Sequence, residues 1–362
     1  MTPDDPPEPP AKMTEVRYEH SPDFAALLAE AGGALMIATY QAHRLVIVGV
    51  KDGKLTFAFH HFEQVMGIAA GGSRLAIGTR RQVWLLRRAK ELAATLPDGP
   101  YDDCYLTRHA HQTGRIHIHE LTWGRDELWL VNTLFSCLST LDSDSHFVPR
   151  WKPPFITTLA GEDRCHLNGL AMQDGVPKYV TVLGRTNEPA GWRLNKATSG
   201  CILDVPSGEP VITGLSMPHS PRYSGGQLWV LDSGHGRLSN VDPVAGKAEP
   251  VAHLPGYCRG LAFAGRLAFV GLSKIRESNV FGGLPIAERR KELKCGVGVI
   301  DVRTGALVGQ LEFASGVEEI ADVQILFGSI NPFLEGPDPE ADGRAPVWVA
   351  ANPRWLPGTL GV

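Results

Sequence analysis

Six short segments of similar composition recur along the chain at steps of 53, 49, 51, 40 and 59 residues, and that spacing restricts the fold more than any other feature. They are Met66-Gly67-Ile68-Ala69, His119-Glu120-Leu121-Thr122, Asn168-Gly169-Leu170-Ala171, His219-Ser220-Pro221-Arg222, Arg259-Gly260-Leu261-Ala262 and Glu318-Glu319-Ile320-Ala321. A repeat of this length, filled with strand and turn signals, is the pattern of a β-propeller blade. The fold class read from it is all-β: a six-bladed β-propeller with four-stranded blades. The stretch from His219 to Gly256 reads as one complete blade, with strands at His219–Tyr223, Gln227–Asp232, Arg237–Val241 and Glu249–Leu254 separated by Gly- and Pro-rich turns.

The two ends of the chain complement each other. Ala34–Tyr40, Arg44–Val50 and Lys54–His60 read as three strands with no inner strand before them, whereas Glu318–Leu326 reads as an inner strand with no regular outer hairpin after it. Joined, they make one blade and close the ring, which removes the free edges. The predicted division is a disordered Pro-rich leader over residues 1–20 and a single propeller domain over residues 21–362. Val347–Ala351 reads as a further strand without a place. Three helical insertions are expected, at Ser21–Glu30, Arg87–Leu96 and Ile286–Leu293. Long insertions in a propeller tend to lie over one face and cover a binding site.

Composition excludes several functions. A net charge of −4 shows no basic stripe of the kind that holds nucleic acid or an anionic membrane. No apolar run is long enough to span a bilayer. The N-terminus lacks the apolar core of a secretory signal, and Cys104, Cys137, Cys165, Cys201, Cys258 and Cys295 form no C-x-x-C pair, so a cytoplasmic protein with buried, reduced thiols is expected. Walker, G-x-G-x-x-G, H-E-x-x-H and G-x-S-x-G signatures are absent.

The first residue of each segment faces the axis in this register, so Met66, His119, Asn168, His219, Arg259 and Glu318 ring one channel mouth. His119, His219 and Glu318, with Asn168 as an oxygen donor, are the expected ligands of one divalent metal, Zn, Fe or Mn in preference to Ca. Glu120 and Glu319 are candidate general bases, and Arg259 is the group to orient an anion. Arg222 and His166 are candidate substrate-binding residues. His117, Asp232, His235 and Asp322 are further candidates. The plainer alternatives are a turn role for Asn168, and an Arg259–carboxylate pair that only joins two blades.

The runs N-G-L-A-M-Q-D-G-V-P-K-Y-V-T from Asn168 and P-H-S-P-R-Y-S-G-G-Q-L-W-V-L-D-S-G-H-G-R-L from Pro218 resemble the regucalcin/gluconolactonase and strictosidine-synthase-like group of six-bladed propellers. That resemblance implies a channel metal held by Glu, Asn and Asp, falling here on Glu318, Asn168 and His219, and the hydrolysis of lactones and related esters. Histidine in place of aspartate turns the expectation from calcium toward a transition metal. Over its whole length the chain is also similar to a family of bacterial conserved proteins of unknown function, through H-x-N-G-L-A, P-H-S-P-R, L-W-V-L-D-S-G-x-G and G-L-S-K-x-R-E-S. The expected function is a metal-dependent enzyme of the ester or lactone hydrolase type, acting on a small anionic or peptide substrate in the channel. The alternatives are a non-catalytic propeller that binds a peptide or protein through its loops, and a metal-assisted lyase, cyclase or oxygen-using enzyme.

Overall fold

The computed structural model describes residues 15–97, 99–275 and 281–351. Six antiparallel sheets stand around an axis. Their innermost strands are Ile68–Gly71, Ile118–Trp123, Leu167–Gln173, Pro218–Ser224, Tyr257–Ala264 and Asp322–Phe327, here taken as blades 1 to 6. Each inner strand touches the next, and the sixth touches the first, so the ring is closed. Apolar clusters fill the spaces between neighbouring blades. One of them joins Leu35, Ile37 and Val46 of blade 6 to Phe269, Val297 and Phe313 of blade 5.

Closure occurs as the sequence predicts. Asp322–Phe327 pairs antiparallel with Gly33–Thr39, Ala34 opposite Leu326, and Arg44–Lys51 and Lys54–His61 complete the blade. The hairpin between the last two has a two-residue turn, Asp52-Gly53, with φ of 51° and 73°. Both centres are left-handed, the turn whose twist matches the strands it joins.

Several boundaries differ from expectation. The last inner strand begins at Asp322, and Glu318 lies in the irregular segment before it. Arg17–His20, assigned to the disordered leader, forms a fifth strand on the outer edge of blade 5. Residues 1–14 of that leader lie outside the described residues. Pro332–Glu335 adds a parallel strand to the outer edge of blade 1 beside Asp103–Gln112. Both additions cover edges that would otherwise be open. Val347–Ala351 forms no strand; its Val347 N–H donates to Glu335 Oε2 at 2.7 Å. The first insertion is an α-helix, Phe24–Ala31, whereas the other two are 3₁₀ segments, Lys90–Thr95 and Pro285–Glu292. All six cysteines are buried and unpaired. No helix among the described residues is long and apolar enough to cross a membrane.

Candidate functional site

The inner strands all enter the ring from the same end. There a cavity of about 310 Å³ is lined by His119, His219 and Arg259 from the first residues of inner strands, by Met66 and Glu319 from the segments just before them, and by Tyr40, Arg115, Asp163, His166, Trp192 and Phe281 from loops and insertions. The approach to the strands is strained. Gln64, His117, His166 and Met217 have φ of 47°, 56°, 49° and 47°, and each lies two residues before the first residue of a repeated segment. Non-glycine residues rarely adopt this left-handed conformation, and it persists only where the surroundings hold it.

In two blades the reversal has a chemical consequence, because it brings the carbonyl of the reversed residue to the ring of the histidine two places on. His119 Nδ1 lies 3.2 Å from His117 O and 2.7 Å from Thr133 Oγ1. His219 Nδ1 lies 2.9 Å from Met217 O and 3.1 Å from Ser233 Oγ. Thr133 and Ser233 spend their own protons on carbonyls of the next blade, Leu167 O and Cys258 O, each at 2.6 Å. Their oxygens are therefore acceptors toward the imidazoles. Both rings are thus assigned the Nδ1–H tautomer, with the Nε2 lone pair left for the cavity. Burial holds both imidazoles well below the usual histidine range, and the Arg259 charge adds to the effect.

A third imidazole is tied differently. His166 Nδ1 lies 3.0 Å from both oxygens of Asp163, and Trp192 Nε1 donates to Asp163 Oδ2 at 3.1 Å. The His166 ring stands edge-on to His119, with centroids 4.7 Å apart, and 4.4 Å from Trp192. Arg259 Nη1 donates to Glu319 Oε1 at 2.9 Å. Tyr40 joins this corner, its phenol raised first by burial and then by Glu319. Trp192, Met217, Tyr257, Leu284 and Ile286 form one apolar cluster, so the blade 5 insertion packs behind the cavity's aromatic wall.

Among the residues expected to meet at the axis, Met66, His119, His219 and Arg259 do so, joined by His117 and His166. Asn168 does not reach the cavity. Its side chain is buried in the wall, donating to Pro218 O at 3.0 Å and accepting from Thr181 Oγ1 at 2.6 Å, a bridge between blades 3 and 4. Glu318 is exposed and outside the lining, and the adjacent Glu319 occupies the corner instead. The cause is the irregular approach to blade 6: the repeat pattern places Glu318 first, but regular strand begins only four residues later. Glu120 and Arg222 point the other way. They pair with each other across the channel, with Asp322 3.8 Å from Arg222, and they line a second cavity of about 220 Å³ at the opposite end. Asp232 and His235 form a separate Asp-x-x-His pair, 2.8 Å apart, away from either cavity.

The donor set expected for a metal is therefore not gathered. Among the described residues no three His, Cys, Asp or Glu side chains converge in a way that would hold a metal ion. The carboxylates in the cavity are already committed, Glu319 to Arg259 and Asp163 to His166 and Trp192. Guanidinium groups on the same lining oppose a dication. The residues present do not fit the metal that the regucalcin-like pattern implies. What they offer is anion binding and proton transfer.

The profile of a domain of unknown function, DUF4915, matches residues 22–334. No curated protein sequence gives a significant match. Among solved structures, a chain of a nidogen/laminin complex superposes with a TM-score of 0.54 at 10% identity, covering 82% of this chain and 99% of that one. A protein of unknown function from Bacteroides caccae superposes with a TM-score of 0.50 at 10% identity, covering 81% and 98%. At such identity these likenesses describe the propeller and nothing of its chemistry.

Proposed function

This chain belongs to the DUF4915 family, a domain of unknown function, and from that premise we propose that one end of its channel binds a small carboxylate-bearing ester or lactone and hydrolyses it by imidazole-mediated proton transfer. By that end is meant the cavity around His119, His219 and Arg259. One observation carries the reading: two imidazoles held in the same tautomer by their hydrogen bonds, His219 buried and His119 half-buried, leave their Nε2 lone pairs to one cavity, beside a guanidinium. Neutral imidazole accepts a hydrogen bond or proton from water near neutral pH, which the ammonium or imidazolium form does not. Arg259 keeps Nη1 on Glu319, and its buried Nε has no hydrogen-bond partner among the described residues, so the guanidinium keeps donor capacity for a developing negative oxygen. Arg115 and Arg193 at the mouth favour a substrate with a further negative charge.

The test is pH-stat titration of a panel of carboxylate-bearing esters and γ- and δ-lactones, since each hydrolysis releases one proton. The expected result is turnover by the native protein and a fall in kcat/KM of about 100-fold or more in His219→Ala and Arg259→Gln, with circular dichroism showing the fold retained. Turnover that survives both changes, or none across the panel, contradicts the reading and leaves a binding pocket without catalysis.

A further inference from the structure

The three imidazoles of the cavity differ in what stands behind them. Behind His119 and His219 are neutral acceptors, a main-chain carbonyl and a hydroxyl for each. Behind His166 is a carboxylate, met by its Nδ1 at 3.0 Å to either oxygen. A neutral acceptor fixes the tautomer and orientation of a ring. A carboxylate does this and also stabilises the imidazolium that forms when the ring takes a proton. The carboxylate is itself fixed, because Trp192 Nε1 holds Asp163 Oδ2 at 3.1 Å. Asp163 and His166 both sit in left-handed backbone, with φ of 48° and 49°, a cost the surroundings sustain.

We infer that the Asp163–His166 pair carries the proton transfer in this cavity, while His119 and His219 serve as fixed hydrogen-bond acceptors that orient water and substrate. The inference rests on the hydrolytic reading above and assigns its general base. Asp163 and Trp192 are positioning residues that act through His166.

The step balances as follows. A water proton passes to His166 Nε2 as the water oxygen bonds to the acyl carbon, and the carbonyl pair moves onto its oxygen, which Arg259 receives. The tetrahedral species then re-forms the carbonyl, the bond to the leaving oxygen breaks, and that oxygen takes the proton back from His166. Ester and water become acid and alcohol, or a lactone becomes its hydroxy acid, with no other reactant. The charged and titratable groups that share the cavity with His166 are Asp163 from its own loop, Arg115, His117 and His119 leading into blade 2, Arg193, His219 and Arg259 from blades 3 to 5, and Tyr40 and Glu319 from blade 6. Of the two carboxylates, only Asp163 meets the His166 ring, and Glu319 is engaged with Arg259.

Two measurements test the assignment. The first needs no substrate: the ring N–H proton shifts of the full chain at one pH. The His166 Nδ1–H, which meets a carboxylate, is expected downfield of those of His119 and His219, which meet neutral acceptors, and Asp163→Asn is expected to move it upfield. A His166 ring proton no further downfield than the other two, or one unmoved by Asp163→Asn, overturns the proposal. The second uses whichever ester or lactone the native protein hydrolyses. His166→Gln is expected to lower kcat by about 10²- to 10⁴-fold, whereas His119→Gln acts chiefly on KM. Asp163→Asn shifts the pH profile of kcat/KM, and Asp163→Glu restores part of it. Equal kcat losses in His166→Gln and His119→Gln overturn the division of roles. If no ester or lactone is turned over, the hydrolytic reading falls, and the ring-proton shifts still decide whether His166 alone is backed by a carboxylate.

Discussion

Removal of the Ser233 hydroxyl tests how the fold sets the chemistry of its channel. Ser233 is fully buried and joins blade 4 to blade 5 by donating to Cys258 O while accepting from His219 Nδ1. Ser233→Ala deletes both hydrogen bonds. Each is worth about 0.5–1.5 kcal/mol net, so the full loss lies near 1–3 kcal/mol. His219 Nδ1 retains Met217 O at 2.9 Å and is not orphaned, which places the expected cost in the lower half of that range. Thr133→Val removes the matching hydroxyl in blade 2. There the remaining acceptor, His117 O, is farther from the ring at 3.2 Å, and the lost bond is shorter at 2.7 Å, so this change costs more than Ser233→Ala. The assay is urea unfolding, read as a fall in midpoint with an unchanged slope. Ring ¹⁵N shifts of His219 should still report Nδ1–H. A cost below about 0.5 kcal/mol for both variants, the level of an ordinary surface change, refutes the view that these hydroxyls latch the blades and aim the imidazoles.

Other consequences follow from the same contacts. Gly169→Ala places a Cβ against Pro221 Cδ and 2.5 Å from Thr181 Oγ1, and the overpacking should cost about 1–3 kcal/mol in the same unfolding assay. Glu120 and Asp322 face one guanidinium, and burial raises them to about 7 and about 6 from ordinary values of 4.5 and 3.8. The folded chain therefore holds more protons than the unfolded one in that window, so stability should fall as pH rises from about 4 to about 7, with a flatter slope in Glu120→Gln. Excess Zn²⁺, Mn²⁺ or Ca²⁺ should leave the thermal midpoint unchanged, because a ligand that binds only the folded state would raise it. A rise lost in His119→Ala would show that the imidazoles do gather a metal.

Blade number and ring closure were legible because they depend on local signals. The Lys51-Asp52-Gly53-Lys54 turn and the repeated segment starts each specify their own neighbourhood, and the complementary chain ends specify the join. His119, His219 and Arg259 were legible for the same reason, since each lies within the first three residues of an inner strand. Glu318 was misplaced because periodicity carries no information about an irregular approach, and Glu319 turns to the cavity from outside the strand. Glu120 is a candidate general base by its place next to His119, but successive residues of a strand face opposite ways, and it meets Arg222 instead. Tyr40, Arg115, Trp192 and Phe281 come from loops and insertions whose positions no repeat fixes. Asp163 did leave a trace. Asp163-Arg164-Cys165-His166 has the same Asp-x-x-His spacing as Asp232-Ser233-Gly234-His235, and both close a carboxylate on an imidazole.

The most direct test of the account is a crystal structure of the protein soaked with the hydroxy acid or carboxylate product of any compound it hydrolyses, or with a simple aryl carboxylate. The account predicts the bound anion on Arg259, with a polar atom within hydrogen-bond reach of the Nε2 of His119 or His219. A saturating soak that fills the opposite cavity or the outer surface, and leaves this end of the channel without the anion, would contradict it.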